Sequence, residues 1–126
     1  MMLDYINRIN NYGDNLVRLY DFDKSQAIIF QKAIHDTIII NKEQLDLAKT
    51  NFITGRNCNL ILRLSDEDLG ISTTDKKIFF CDLTLHGYEH MIFLIKPFCE
   101  KETKGHQYLY DIDSLTDFLF SPGGTW

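Results

Sequence analysis

Residues 59–83, NLILRLSDEDLGISTTDKKIFFCDL, contain two apolar segments separated by a long polar loop. The segments NLILRL and IFFCDL have the length and apolar content that are typical of β-strands. No helical segment lies between them, so the chain does not alternate strand and helix as a doubly wound parallel sheet requires. The stretch therefore predicts two neighbouring antiparallel strands and an α+β fold.

A first helix is predicted upstream of these strands, beginning at Gln26. Asp23 or Ser25 supplies its N-cap, because a short side-chain oxygen there can accept from the free amide groups of the first turn. Ala27 and Phe30 begin an apolar stripe at helical spacing. The β-branched run that follows leaves the end of this helix open between residues 36 and 40.

A second helix is predicted downstream, after Gly87. Tyr88, Met91 and Ile95 repeat at helical spacing and form one apolar stripe. Proline lacks a backbone N–H and clashes with the preceding turn, so Pro97 is expected to limit this helix.

Shorter strands are expected on both sides of the helices. Residues 16–20 and 107–112 read as strands, residues 114–120 as a short helix or an edge strand, and residues 41–57 are undecided between helix and strand. The prediction is one α+β domain over residues 1–126. Its mostly antiparallel sheet of about four to five strands carries the two main helices on one face.

Composition and charge exclude several classes of function. The net charge is −5, from 13 basic and 18 acidic residues, and no clustered basic face is visible, so nucleic acid is not expected as a partner. No stretch reaches the roughly 20 apolar residues that a membrane-spanning helix needs. The N-terminus lacks the pattern of a signal peptide, and the three cysteines form no short pairing motif. We therefore expect a reduced cytoplasmic protein that does not enter a membrane.

Two Asp-x-Asp pairs follow apolar segments, in LYDFD and again in LYDID. If the four carboxylates, Asp21, Asp23, Asp111 and Asp113, met in space, they would suit a small enzyme or a ligand- or metal-binding domain. The alternative is that each pair turns and caps the backbone at a strand exit, a role that short polar acceptors fill well. We favour the turn-and-cap interpretation and expect no metal site.

Cys81, His86 and His90 could in principle form a metal site or a Cys–His nucleophile pair. Their directions argue against both. On a strand Cys81 points with Phe79 toward the core, whereas on the following helix both histidines lie opposite the apolar stripe. No catalytic residue and no cofactor is therefore assigned, and the sequence leans against an enzyme.

The leading functional hypothesis is a non-enzymatic module that binds another protein, such as an immunity-type protein or a regulatory partner. Its candidate contacts are the acidic loop Asp66, Glu67 and Asp68, which suits a basic surface, and the aromatic Trp126. A structural homodimer, joined through a sheet edge or the Trp126 tail, is the remaining alternative. The sequence leaves open whether the protein is a monomer or a homodimer.

Overall fold

The computed structural model describes residues 1–7, 15–112 and 116–123. Within these ranges the chain forms strands, two α-helices, a π-helical segment (Ile34–Ile40) and a short 3-10 turn (Leu47–Lys49). In chain order the strands and α-helices are β1 (Met2–Ile6), β2 (Asn15–Tyr20), α1 (Lys24–Ala33), β3 (Leu45–Asp46), β4 (Thr54–Gly55), β5 (Asn59–Leu64), β6 (Gly70–Thr73), β7 (Ile78–Leu83), α2 (Leu85–Glu100), β8 (Gln107–Tyr110) and β9 (Thr116–Ser121).

The strands form two sheets. The first has five strands in the order β4-β1-β2-β9-β8, and the second has four in the order β3-β5-β7-β6. Both are mixed: β2 pairs parallel to β9 and antiparallel to β1, while β7 pairs parallel to β5 and antiparallel to β6. The α+β prediction is confirmed, and the structure adds that the strands divide into two mixed sheets.

The direction of β5 and β7 corrects one sequence prediction. The two strands are neighbours, as expected, but they run parallel, with Asn59 opposite Ile78 and Leu64 opposite Leu83. The reason lies in the polar loop between them, where residues 70–73 form β6. This strand pairs antiparallel with β7 on the side away from β5. The chain therefore reverses twice, and β7 regains the direction of β5.

Both helices form where the apolar spacing predicts them, with different ends. Asp23 is the N-cap of α1. The helix α1 is followed directly by the π-helical segment, which ends at Ile40. Pro97 was expected to limit α2, and the helix continues three residues past it to Glu100. Pro97 removes only the bond to the carbonyl of Phe93, and only three residues of helix follow it, so the loss is tolerated. The two helices pack against each other, and the Gln31 Nε2 donates to the Ile92 carbonyl at 3.2 Å.

The last strand corrects a second prediction. Residues 114–120 were expected to form a short helix or an edge strand, whereas β9 lies inside its sheet between β2 and β8. Its Phe118, Leu119 and Phe120 are consecutive and fully buried. A strand that is covered on both faces has such a continuous apolar run, whereas a strand with one solvent-exposed face has alternating apolar and polar residues.

The sequence left the conformation of one segment undecided and missed another segment entirely. The undecided residues 41–57 form two strands of two residues each around the 3-10 turn. The N-terminal strand β1 was not predicted, although all five of its residues pair with residues 16–20 of β2. Both segments are short, so local pattern carries little information about them, and partner strands determine their conformation.

One hydrophobic core joins the two sheets and the two helices. Leu19 and Phe120 enter it from the first sheet, Phe79 from the second, and Phe30 and Tyr88 from α1 and α2. All five side chains are fully buried. The described residues therefore share a single core, on whose surface the candidate site lies.

Candidate functional site

The first Asp-x-Asp pair turns the chain and caps a helix. Asp21 adopts a left-handed backbone with φ of 57°, and its N–H donates to the Pro122 carbonyl at 3.1 Å. The Asp23 Oδ1 accepts from the Ser25 hydroxyl at 2.7 Å and from the Gln26 N–H at 2.9 Å. These hydrogen bonds favour the charged carboxylate and lower the pKa of Asp23 below its ordinary value of 3.8. The turn-and-cap interpretation is confirmed for this pair.

The second pair leaves its sheet in the opposite direction. β2 runs parallel to β9, with Tyr20 opposite Ser121, and β8 runs antiparallel to β9, with Tyr110 opposite Phe118. β2 and β8 therefore run in opposite directions, so Asp21 and Asp111 follow strand ends at opposite edges of the sheet. The structure does not bring the first pair together with Asp111.

Asp113, the fourth carboxylate of the alternative site, lies outside the described residues. Within residues 1–7, 15–112 and 116–123, no three His, Cys, Asp or Glu side chains are grouped so that they could hold a metal ion.

Cys81 and the two histidines point apart, as their spacing indicated. Cys81 is fully buried, and burial raises the pKa of its thiol to about 12. His86 and His90 are exposed on α2. A thiol in the core and imidazoles at the surface do not converge on a common ligand.

The three residues of the acidic loop are all exposed, and Asp68 is also held by side-chain hydrogen bonds. The Asp68 Oδ1 accepts from the Thr84 N–H at 2.8 Å and from the Thr84 hydroxyl at 2.9 Å. Thr84 is the N-cap of α2, so this carboxylate ties the loop to the start of the helix. Asp66 and Glu67 are exposed. Trp126, the other predicted contact, lies outside the described residues.

A cleft of about 330 Å³ lies between α2 and β8. His86, His90 and Leu94 line its helix wall, and residues 108–112 line its strand wall. Asp68, from the loop between β5 and β6, also lines it. We refer to this site as the α2–β8 cleft. It gathers residues from three parts of the chain that are distant in sequence.

Two exposed apolar side chains lie at the α2–β8 cleft, one in its lining and one next to a lining residue. Ile112 lines it with 64% of its surface exposed, and Phe93 is 66% exposed. At about 100° per residue, Phe93 lies within about 60° of His86 and His90 around the helix. Its ring stacks beside that of His90, with centroids 6.1 Å apart. Clustered exposed apolar side chains beside a cleft are typical of interaction surfaces.

The charges that line the cleft are acidic. Asp68 and Asp111 are carboxylates, and His86 and His90 carry charge only when they are protonated. Among the described lining residues there is no lysine and no arginine. In the part of the chain that the structure describes, Asp111 makes no hydrogen bond and no ion pair. The described residues therefore supply no cation that pairs with this carboxylate in the cleft.

A glycine fixes the strand wall against the acidic loop. Gly70 has a φ of +78°, and a Cβ there would collide with the ring of Tyr110. The Tyr110 hydroxyl donates to the Asp68 carbonyl at 3.4 Å. The missing side chain at Gly70 therefore lets Tyr110 lie across the start of β6, which sets the shape of the cleft.

Sequence reasoning found part of this site and missed the rest. Asp68 was singled out as a protein contact, and Asp111 only as a member of a different, four-carboxylate site. Phe93 and Ile112 were not considered. The available signal was a large apolar residue on the polar side of α2, since Phe93 falls with His86 and His90 rather than with the buried stripe.

Comparison of the chain with family models, with curated proteins and with solved structures gives no significant match. Among the described residues, no helix has both the length and the apolar character that crossing a membrane requires.

Proposed function

We propose that the protein is a non-enzymatic module that binds another protein through the α2–β8 cleft. One observation carries this proposal: two apolar side chains are about two thirds exposed at the cleft, Ile112 in its lining and Phe93 stacked beside His90 of its helix wall. A partner that fills the cleft and spreads over its border would remove both side chains from water. Burial of such apolar side chains is the main favourable term in protein association.

A macromolecular partner suits this cleft better than a small ligand. Small-molecule sites have volumes of about 300–1,000 Å³ and enclose most of their ligand. The α2–β8 cleft, at about 330 Å³, is near the lower limit, and Ile112 in its lining and Phe93 beside it remain largely exposed. An aromatic side chain exposed beside a pocket is a frequent anchor of protein interfaces.

The partner is expected to present a basic surface. Asp66 and Glu67 are exposed on the loop that also carries Asp68 into the cleft, and the whole chain has a net charge of −5. Complementary charge speeds association and selects partners. An immunity-type protein that neutralises a toxin, or a regulatory partner, is the form of this function that we propose.

The test compares three purified baits: the wild type, the double variant Phe93→Ser/Ile112→Ser, and the matched control Ile28→Ser/Ile40→Ser. The control removes two exposed isoleucines that do not line the cleft and are 44% and 61% exposed. Proteins retained by each bait are quantified, and the best candidate is purified for calorimetry and light scattering. We expect a stoichiometric complex with the wild type and the control, and at least tenfold weaker binding by the cleft variant.

Equal retention of the partner by all three baits would remove the cleft from the interface. If the wild type is a homodimer, the cleft variant is a monomer and neither binds another protein, the partner is a second copy of the chain. Charge reversal is informative at Asp66 and Glu67 only, because a change at Asp68 also breaks the hydrogen bonds to Thr84.

A further inference from the structure

We infer that two copies of this chain pair through the open edge of the second sheet, strand against strand, at β6. This surface is separate from the α2–β8 cleft, and the inference does not depend on the docking function. β6 is the last strand in the order β3-β5-β7-β6, so one of its sides has no neighbouring strand within the described residues. We refer to this side of Gly70–Thr73 as the β6 edge.

The hydrogen bonds of β7 determine which main-chain groups of β6 point outward. On the β5 side of β7, the Ser65 N–H donates to the Leu83 carbonyl at 2.9 Å. On the β6 side, the Leu69 N–H donates to the Asp82 carbonyl at 2.9 Å. Neighbouring residues of β7 therefore direct their main-chain groups to opposite sides, and by this alternation Phe80 directs its own toward β6.

Ile71 and Thr73 carry the open main-chain groups of β6. Phe80 lies opposite Ser72 in the antiparallel ladder, so Ser72 directs its N–H and C=O to β7. Ile71 and Thr73, on either side of Ser72, therefore direct theirs away from β7. Within the described residues, no hydrogen bond reaches these N–H and C=O groups. Ser72 and Thr74 are exposed, and an edge of this kind is a template for pairing with another strand.

Elsewhere the fold closes its strand edges with side-chain amides. Beyond β4, the Asn57 Oδ1 accepts from the Tyr5 N–H at 2.7 Å, and the Asn57 Nδ2 donates to the Tyr5 carbonyl at 3.0 Å. On β8, the Gln107 Nε2 donates to the Tyr108 carbonyl at 2.9 Å. Such devices prevent unwanted pairing. Among the described residues no side chain closes the β6 edge in this way, so this edge is the one prepared for a further strand.

A second copy of the chain fits the β6 edge by two-fold symmetry. With the axis at Ser72, antiparallel pairing places Ile71 of one copy opposite Thr73 of the other. Each of the two resulting pairs can exchange both N–H···O=C bonds, because both residues direct these groups outward. The two sheets then join into one, and the same patch is used on both copies, as in closed dimers.

The charges at the two ends of β6 favour a second copy over a foreign strand. The acids Asp66 and Glu67 precede the strand and are exposed, and the bases Lys76 and Lys77 follow it and are also exposed. Antiparallel pairing places the acidic end of each copy beside the basic end of the other. With the axis at Ser72, Glu67 falls opposite Lys77 of the second copy, each five residues from the axis. Complementary charges of this kind steer association and fix its register.

A charge swap at Ser72 tests the pairing, because this residue lies opposite itself across the axis. Its side chain is exposed and makes no hydrogen bond within the described residues, so its substitution should leave the fold intact. Sedimentation equilibrium of the full chain measures association from micromolar to millimolar concentration. We expect a wild-type dissociation constant on the order of tens of micromolar, because so short an edge buries less than the roughly 1,200–2,000 Å² of stable interfaces.

Ser72→Lys and Ser72→Glu should each weaken dimerisation about fivefold or more, because like charges then meet directly across the axis. An equimolar mixture of the two variants should restore dimerisation to within about twofold of the wild type, because the charges that meet are then opposite. Asn51→Lys and Asn51→Glu are the matched controls, since Asn51 is exposed and lies outside both β6 and the cleft. They should dimerise like the wild type, alone and mixed. Circular dichroism checks that each variant is folded.

Charge reversal and amide exchange test the register independently of Ser72. Glu67→Lys should weaken the dimer, and the double variant Glu67→Lys/Lys77→Glu should restore it. Deuterium exchange at the amides of Ile71 and Thr73 should slow as the protein concentration rises. The Ser72 amide, which bonds to β7 in both states, should change little.

The outcomes distinguish this pairing from other contacts and from the docking function. A wild type that remains monomeric at millimolar concentration, or Ser72 variants that dimerise like the wild type, would refute the inference. A monomeric wild type whose foreign partner is lost on Ser72→Lys would assign the edge to a foreign strand and equally overturn pairing between copies. The Phe93→Ser/Ile112→Ser variant should lose a docked partner and keep the dimer; loss of the dimer in that variant alone would place the contact at the cleft instead.

Discussion

Replacement of Gly70 by alanine is the most direct test of how the cleft is built. Gly70 has a φ of +78°, and its missing Cβ leaves the place that the Tyr110 ring occupies. An alanine there faces two separate penalties. A left-handed backbone costs an L-residue about 1–2 kcal/mol. A Cβ forced into a packed ring costs about 1–3 kcal/mol more.

We therefore expect Gly70→Ala to lower the free energy of unfolding by about 2–5 kcal/mol. Domains have total stabilities of only about 5–15 kcal/mol, so this is a large share. Equilibrium unfolding in urea measures it. With a slope of about 2 kcal/mol per molar, the midpoint should fall by about 1 M or more.

A double-mutant cycle separates the two penalties. In the background of Tyr110→Ser the ring is gone, so Gly70→Ala should cost only the backbone penalty of about 1–2 kcal/mol. Gly105→Ala is the matched control, because no atom lies within 4 Å of a Cβ there and its φ is not left-handed. It should change stability by less than about 0.5 kcal/mol in either direction. An equal cost of Gly70→Ala in both backgrounds would refute the contact with Tyr110.

Two further predictions follow from other parts of the structure. Asp23→Ala should lower the melting temperature through loss of the α1 cap, whereas Asp23→Asn, which keeps a capping oxygen, should change it little at pH 6. Because folding lowers the pKa of Asp23, its charge stabilises the protein above pH 3.8 and loses this effect as the pH falls through the folded pKa. Any advantage of the wild type over Asp23→Asn should therefore shrink below about pH 4, and thermal melts at a series of pH values would measure it. A constant difference across that range would contradict the hydrogen-bond assignment. Burial raises the pKa of the Cys81 thiol to about 12, so it should resist an aromatic disulfide reagent at pH 8 until urea unfolds the chain. Mass mapping that finds Cys81 labelled in the folded protein would contradict its burial.

The strongest local patterns predicted their elements closely. NLILRL and IFFCDL form strands with the predicted ends, Asn59–Leu64 and Ile78–Leu83. The apolar stripe of α2 is buried at Tyr88, Met91 and Ile95. In each of these segments the side chains that decide the conformation are close in sequence, so a short window contains the relevant information.

The failures came from interactions between distant segments. β6 was hidden in a polar loop, and without it the direction of β7 relative to β5 could not be derived. β9 was left as a short helix or an edge strand because its partners on both sides, β2 and β8, were not evident from its own residues. The strand β1 was missed since its five residues gain their conformation from pairing with β2.

The candidate site likewise combines features that follow from local sequence with features that depend on contacts between distant segments. The sequence alone predicted that Asp23 or Ser25 caps a helix and that His86 and His90 lie away from the core, since both follow from spacing along one element. Only the tertiary structure decided that Asp68 and Asp111 line one cleft and that Phe93 lies beside its helix wall. They come from a loop, a strand exit and a helix, and the direction in which each strand runs determines which of its ends meets the helix. Strand direction likewise separated the first Asp pair from Asp111 and placed that carboxylate beside aromatic rings.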